Sequence, residues 1–226
     1  SMLSDTNMIG QGPTDNAMSQ DLTSDFREKV IQPIERLLEQ KKKGKQQSFV
    51  MSISGIAGLG KTSIGRVLKE RGIAGYASYE IATLDTDDFV PDMQMDEFGV
   101  YRNKQGVVVF PTEDATAYFK YADFKTKLEG LKKLGNLVIV TGIHAELFLH
   151  RAGINVDMKV LLDPSDQEIP RLTVLARDGN DARYQASKDF RNYMFSVIPT
   201  QEFDLVIKDI PLISQGYWKT EKRADL

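Results

Sequence analysis

The residues Gly55-Ile56-Ala57-Gly58-Leu59-Gly60-Lys61-Thr62 place glycines, a lysine and a hydroxyl at the spacing Gly-x-x-x-x-Gly-Lys-Thr, the Walker A pattern. Glycines let a backbone wind round a phosphate with its amide hydrogens turned inward, and a helix beginning at the lysine adds its partly positive end. The context fits. The apolar run Phe49 to Ser54 reads as a strand leading into the loop, and Ile64, Val67 and Leu68 follow at helical spacing. Lys61 is expected to reach the β and γ phosphates of ATP, and Thr62 to offer its hydroxyl to Mg²⁺. The nucleotide site is thus expected to comprise Gly55, Ala57, Gly58, Leu59, Gly60, Lys61, Thr62 and Ser63.

A triphosphate site alone does not separate a kinase from a GTPase switch or a motor. Asp96-Glu97-Phe98-Gly99 has the Asp-x-x-Gly of GTPases, and Asn103-Lys104-Gln105-Gly106 begins like their Asn-Lys-x-Asp. The first follows no apolar strand, the second ends in Gly where a carboxylate should grip guanine, and the two lie too close to flank a base. Leu84-Asp85-Thr86-Asp87-Asp88-Phe89 is different, because it follows the apolar segment Ile81 to Asp85 about 25 residues beyond Lys61. It brings carboxylates to the sheet edge where open α/β folds bind ligands. One of them could orient an acceptor hydroxyl and take its proton.

Here the sequence resembles the uridine kinase, phosphoribulokinase and pantothenate kinase superfamily of P-loop kinases. Uridine kinases carry Asp-Ser-Phe-Tyr at this place and the other two carry Thr-Asp-Gly-Phe; Thr86-Asp87-Asp88-Phe89 lies between these patterns. The resemblance implies that Asp87 is the catalytic aspartate, that Asp87 and Thr62 serve the metal, and that Phe89 lies near the acceptor. Leu137 to Ile143 resembles the third strand of uridine kinases, and Pro199 to Ile207 the segment delivering their last strand. Arg171 to Asp178 resembles their lid helix, which implies a lid carrying Arg171, Arg177 and Arg183, with Arg177 the foremost candidate to neutralise charge on the moving phosphoryl group. The sequence departs from the pattern at Thr141, where an acidic residue is expected, and at Val90, where uridine kinases have tyrosine. His144, just past the third strand, is read either as a substrate contact or as a packed or capping residue. Tyr101, Phe110, Tyr118 and Tyr121 are read as stacking on a planar acceptor or as core.

These groups need a frame. Five short apolar segments, Phe49 to Ser54, Ile81 to Asp85, Leu137 to Thr141, Met158 to Leu162 and Leu205 to Lys208, alternate with longer amphipathic stretches. That rhythm predicts a doubly wound, mostly parallel five-stranded α/β sheet with helices on both faces. A hairpin is expected where Gly99 to Tyr101 and Val107 to Phe110 flank residues 103–106. Residues 1–20 are polar and read as a flexible tail, and residues 21–226 as a single domain with a nucleotide-binding core over 48–226. Within it an amphipathic helix over 25–41 is expected, capped by Asp25 with Glu28, bent at Pro33 and closed by Lys41 to Lys45. Trp218 is expected to anchor the C-terminal end.

Composition narrows the classes further. In 226 residues, 41% are hydrophobic and 27% charged, the balance of a globular protein, and the net charge of −3 offers no basic field for nucleic acid. With no cysteine there is no disulfide, thiolate nucleophile or cysteine-bound zinc. No signal segment and no bilayer-length apolar run stands out, so no membrane association and a cytoplasmic location are expected. A homo-oligomer is compatible with the sequence. The reading is an ATP- and Mg²⁺-dependent kinase acting on a hydroxyl of a nucleoside or other sugar-like small molecule. Its alternative is a catalytically silent nucleotide-binding module that regulates a protein partner.

Overall fold

The computed structural model describes residues 23–42, 48–91, 94–95, 97–98, 101–102, 106, 116–117, 119–198 and 202–212. Five strands, β1 (Phe49–Gly55), β2 (Ile81–Asp85), β5 (Leu137–Gly142), β6 (Met158–Leu162) and β7 (Leu205–Ile207), form one sheet in the order β2-β5-β1-β6-β7. All its pairings are parallel, with Asp85 opposite Thr141 and Ser54 opposite Gly142. A separate antiparallel ladder joins β3 (Gln94–Met95) to β4 (Tyr101–Arg102). Tyr101 therefore pairs with Met95, and residues 103–105 and 107–110 of the expected hairpin lie outside the described residues.

Parallel strands need crossovers, and the amphipathic stretches supply them. They are α1 (Ser24–Phe26, Arg27–Ile31 and Gln32–Lys41 in continuous succession), α2 (Lys61–Arg71), α3 (Tyr121–Leu134), α4 (Ala145–Arg151), α5 (Glu168–Asp178) and α6 (Ala182–Val197). Side chains alternate across a strand, so both faces of the central strands need cover. Phe49, Met51 and Ile53 of β1 and Leu137 and Ile139 of β5 pack with α1 and α2, whereas Val50, Val138 and Val140 pack with α3, α4 and α6. The chains leaving β1 and β5 thus run to opposite faces of the sheet, which opens a crevice beyond the carboxyl ends of these neighbours.

Helix α1 differs from expectation at its start. Thr23, rather than Asp25 with Glu28, caps it, accepting a hydrogen bond from the Phe26 amide at 3.1 Å. A π-helical stretch, Arg27–Ile31, precedes Pro33, and the wider turn fits a residue that has no N–H to give. Lys29 to Asp209 at 3.1 Å and Lys41 to Asp204 at 3.0 Å fasten α1 to both flanks of β7. The tail 1–20, Lys43 to Lys45, Phe110, Tyr118, Pro199 to Gln201 and Trp218 lie outside the described residues.

One close approach fixes the two acid-bearing strands relative to each other. Thr86 is buried and donates to the Thr141 carbonyl at 3.2 Å, directly against Gly142, whose φ is 139°. A Cβ built on Gly142 falls on the Thr86 hydroxyl. Gly142→Ala should therefore destabilise the fold by about 2 kcal/mol or more, combining a disfavoured backbone with a forced displacement of Thr86; urea unfolding of the two chains measures it.

Candidate active site

The loop after β1 is shaped by its neighbours as well as by its glycines. Gly58 has φ 86°, and its Cα lies so close to the Pro170 carbonyl and Val174 of α5 that a side chain there has no room. Helix α2 then starts at Lys61, and its first-turn amides lack acceptors inside the helix, leaving them for an anion. Lys61 is 8% exposed, and its Nζ donates to the Ile56 carbonyl at 2.6 Å across the loop. Burial lowers the ammonium to a pKa of about 8 against the upward pull of Asp87 and Asp85, with Arg177 adding a smaller downward push. Of the residues expected to hold nucleotide, Ala57, Gly58, Gly60, Lys61, Thr62 and Ser63 line the cleft. Gly55 and Leu59 are placed behind it: Leu59 is buried in the core, and Gly55 gives the space where β1 abuts Leu162.

Two carboxylates enter the cleft with different partners. Thr62 Oγ1 donates to Asp85 Oδ2 at 3.4 Å, and Asp85 Oδ1 accepts from the Asp87 amide at 2.9 Å, capping the short turn Thr86–Phe89. Burial and the neighbouring Asp87 charge raise the Asp85 carboxyl to about 6. Burial also acts upward on Asp87, yet the neighbouring His144, with Lys61 and Arg183, holds it below the ordinary carboxylate range. Asp85, rather than Asp87, is thus the acid bonded to Thr62. It stands beside Thr141 in the register of the adjacent strand.

His144 lies behind Asp87. It is 7% exposed, its Nδ1 is 3.7 Å from Asp87 Oδ1, and its ring packs edge-on against Phe119 at 5.0 Å and Phe190 at 4.3 Å. Phe89 turns the same way, meeting Phe124 and Phe148 edge-on at 5.6 and 6.3 Å. Neither ring lines the cleft, and both pack beneath the turn that carries Asp87. Tyr121 joins this cluster against Phe148 and donates to the Thr116 carbonyl at 2.7 Å. Tyr101 is placed on β4.

The three arginines expected in a lid separate. Arg177, at the end of α5, and Arg183, in the first turn of α6, line the cleft, both held by Asp178 at 3.5 and 3.2 Å. Arg171 is engaged elsewhere, bridging Glu168 at 2.7 Å and Asp181 at 3.6 Å. Arg66 also lines the cleft, although sequence reasoning passed it over. It stands one helical turn beyond Thr62, and that i,i+4 spacing was the available signal.

No protein-family profile and no curated protein sequence matches the chain. Among solved structures it is similar to a protein provisionally described as a fructose transport system kinase from Silicibacter sp. TM1040, at 12% identity and a TM-score of 0.44, over 75% of this chain and 97% of the other. A gluconokinase from Sinorhizobium meliloti 1021 is similar at 15% identity and 0.42, over 80% and 95%. A protein provisionally described as a uridine kinase from Bacillus stearothermophilus is similar at 12% and 0.41, over 79% and 99%. All three are described as kinases.

The buried Lys61 ammonium works against folding. Between pH 8 and 10.5 the unfolded chain holds a proton that the folded one has released, so stability rises with pH across that window. Below pH 8 the cost of keeping the buried charge is fully present, roughly 3 kcal/mol at about 1.4 kcal/mol per pH unit. Lys61→Met, which loses one hydrogen bond, should be more stable than the parent at pH 7 by about 1–2 kcal/mol. The gap should narrow as pH rises above 8. Chemical denaturation at pH 7 and 9.5 reads both, and a less stable variant at pH 7 overturns the account.

Proposed function

We propose that this protein is an ATP-dependent kinase of small molecules, transferring the γ-phosphoryl group to a hydroxyl of a nucleoside or other sugar-like acceptor. The observation that carries the reading is the separate partnering of two carboxylates in one cleft: Asp85 bonded to Thr62 beside the phosphate loop, and Asp87 backed by His144 two residues further on. A phosphate-binding loop alone serves any nucleotide protein. A second, separately held acid serves an acceptor.

Thr62 and Asp85 suit magnesium, which takes one or two protein oxygens and fills its remaining positions with phosphate and water. Held there, magnesium would supply charge neutralisation for the phosphate oxygens. Lys61 exchanges its contact with the Ile56 carbonyl for a phosphate oxygen, and its pKa of about 8 leaves it charged at neutral pH. Asp87 accepts the proton of the acceptor hydroxyl as that oxygen bonds to the γ-phosphorus and the bond from phosphorus to the departing ADP oxygen breaks. The lowered pKa of Asp87 keeps it ionised, and phosphoryl transfer through a loose transition state asks the base for orientation more than for strength. Arg177 and Arg183 complete the charge balance around the group in flight. Asp85 standing beside Thr141 removes one motive for the silent-module alternative, since the missing acid has a substitute.

Transfer from γ-labelled ATP with Mg²⁺ to a panel of nucleosides, hexoses, sugar acids, pantothenate and glycerate tests the reading, with Lys61→Ala as the blank. One labelled product absent from the blank is expected. ATP binding without any product would favour the silent module. With the acceptor in hand, Asp87→Asn should lower kcat by about 10²- to 10⁴-fold with ATP binding kept. Asp85→Asn should instead raise the Mg²⁺ concentration needed for half-maximal rate by about tenfold or more; equal Mg²⁺ requirements in the two variants would contradict the division between the acids.

A further inference from the structure

The Ile56–Ala57 peptide of the phosphate loop is held at both ends. Its carbonyl accepts from Lys61 Nζ at 2.6 Å, and its N–H donates to Ser187 Oγ of α6 at 3.0 Å, a contact between residues 130 positions apart in the sequence. Ser187 is 2% exposed, and its own proton is committed to the Tyr184 carbonyl at 2.8 Å, which leaves its lone pairs for the Ala57 amide. The anchorage continues outward. Tyr184 is buried and its hydroxyl donates to Gln167 Oε1 at 3.2 Å, and Gln167 Nε2 donates to the Pro164 carbonyl at 2.7 Å.

We propose that Ser187 is a positioning residue for the nucleotide loop: it fixes the rotation of the Ile56–Ala57 peptide so that the carbonyl stays turned toward Lys61. The Ile56 side chain is buried and fixes that residue in the core, but it does not fix the peptide plane that follows. Rotation of that plane would remove the Lys61 acceptor and point an N–H at an ammonium. When Lys61 moves to a phosphate, the carbonyl loses its hold and Ser187 retains the plane for the return. A helical serine bonded to the carbonyl three residues back is commonplace, but here the same hydroxyl also accepts from a loop on another element. Ser187 lies four residues beyond Arg183 on α6, so the helix that brings a cation to the cleft also holds the loop, and the two keep a fixed relation.

The inference rests on the nucleotide-binding reading for its functional part and on the loop geometry alone for its structural part, and the test separates them. Amide exchange of Ala57 is followed in the nucleotide-free full chain, together with MgATP affinity and acceptor KM, for the parent, Ser187→Ala and Ser187→Thr. Slow exchange at Ala57 in the parent is expected, at least tenfold faster in Ser187→Ala and restored in Ser187→Thr. ATP affinity should fall about tenfold in Ser187→Ala with acceptor KM unchanged, and return to within about threefold of the parent in Ser187→Thr. A parent Ala57 amide that exchanges like an exposed loop overturns the proposal, as does Ser187→Ala binding ATP like the parent. Should Ser187→Ala fail to fold, parent exchange and the threonine variant still decide. A parent chain that does not bind ATP would sink the kinase reading, while the exchange rates would still judge the hold on the peptide.

Discussion

A nearly buried ammonium organises this structure. Lys61 cannot stay charged at the end of β1 without compensation, and the nearest compensation comes from acids delivered by another strand. Asp85 and Asp87 supply it, but two carboxylates so close repel each other, and each needs a separate reason to be there. Asp85 has the Thr62 hydroxyl and the Asp87 amide; Asp87 has His144. Burial and the Asp87 charge push Asp85 up, whereas His144, Lys61 and Arg183 outweigh burial and hold Asp87 down. An anion in the cleft would relieve Lys61 and the arginines together, so the arrangement that is costly when empty is complementary to polyphosphate.

The sheet makes this convergence achievable with little chain. Because β1, β2 and β5 are parallel, their carboxyl ends lie on one side, and the loop, the acids and His144 each begin within two or three residues of a strand end. The register sets Asp85 opposite Thr141, and Gly142 lets Thr86 close over it. A side chain at Gly142 would push the turn off β5 and carry Asp87 with it. Strand pairing, glycine and acid are therefore one positional device, although they are more than fifty residues apart in the chain.

Legibility followed how local each feature is. The phosphate loop is contiguous, and a strand before it and a helix after it were visible as changes in hydrophobic period. The five strands of the parallel sheet are legible almost to the residue, because the central ones are apolar on both faces. Asp85 was visible as an acid, yet its bond to Thr62 depends on the order of strands, which no local pattern records. Likewise Arg171 and Arg177 belong to one helical stretch and look alike in sequence; only the packing of α5 on Gly58 decides that Arg177 reaches the cleft while Arg171 turns to Glu168. Ser187 left no signal at all, since a helical serine becomes a loop anchor only when its helix is laid across the loop. Thr23 displaced Asp25 as the cap of α1 because either can accept from an amide, and the start of the helix depends on where Phe26 enters the core.

The acids and the arginines are built to different standards of rigidity, and that difference bears on the proposed transfer. Asp87 rests on a histidine wedged between Phe119 and Phe190, beside a turn whose Phe89 is locked against Phe124 and Phe148. Arg177 and Arg183 are about half exposed and share one carboxylate, Asp178, through contacts of the kind that contribute little net energy. A group that must meet a hydroxyl in line with a phosphorus gains from being fixed in advance, because its orientation is then settled before the reaction. Groups that must neutralise charge spread over three moving oxygens gain from reach and from cheap release. On the proposed reading, rigid packing under the acid and loose pairing of the cations answer two different demands of one transfer, and the aromatic cluster supports the site although none of its rings lines the cleft.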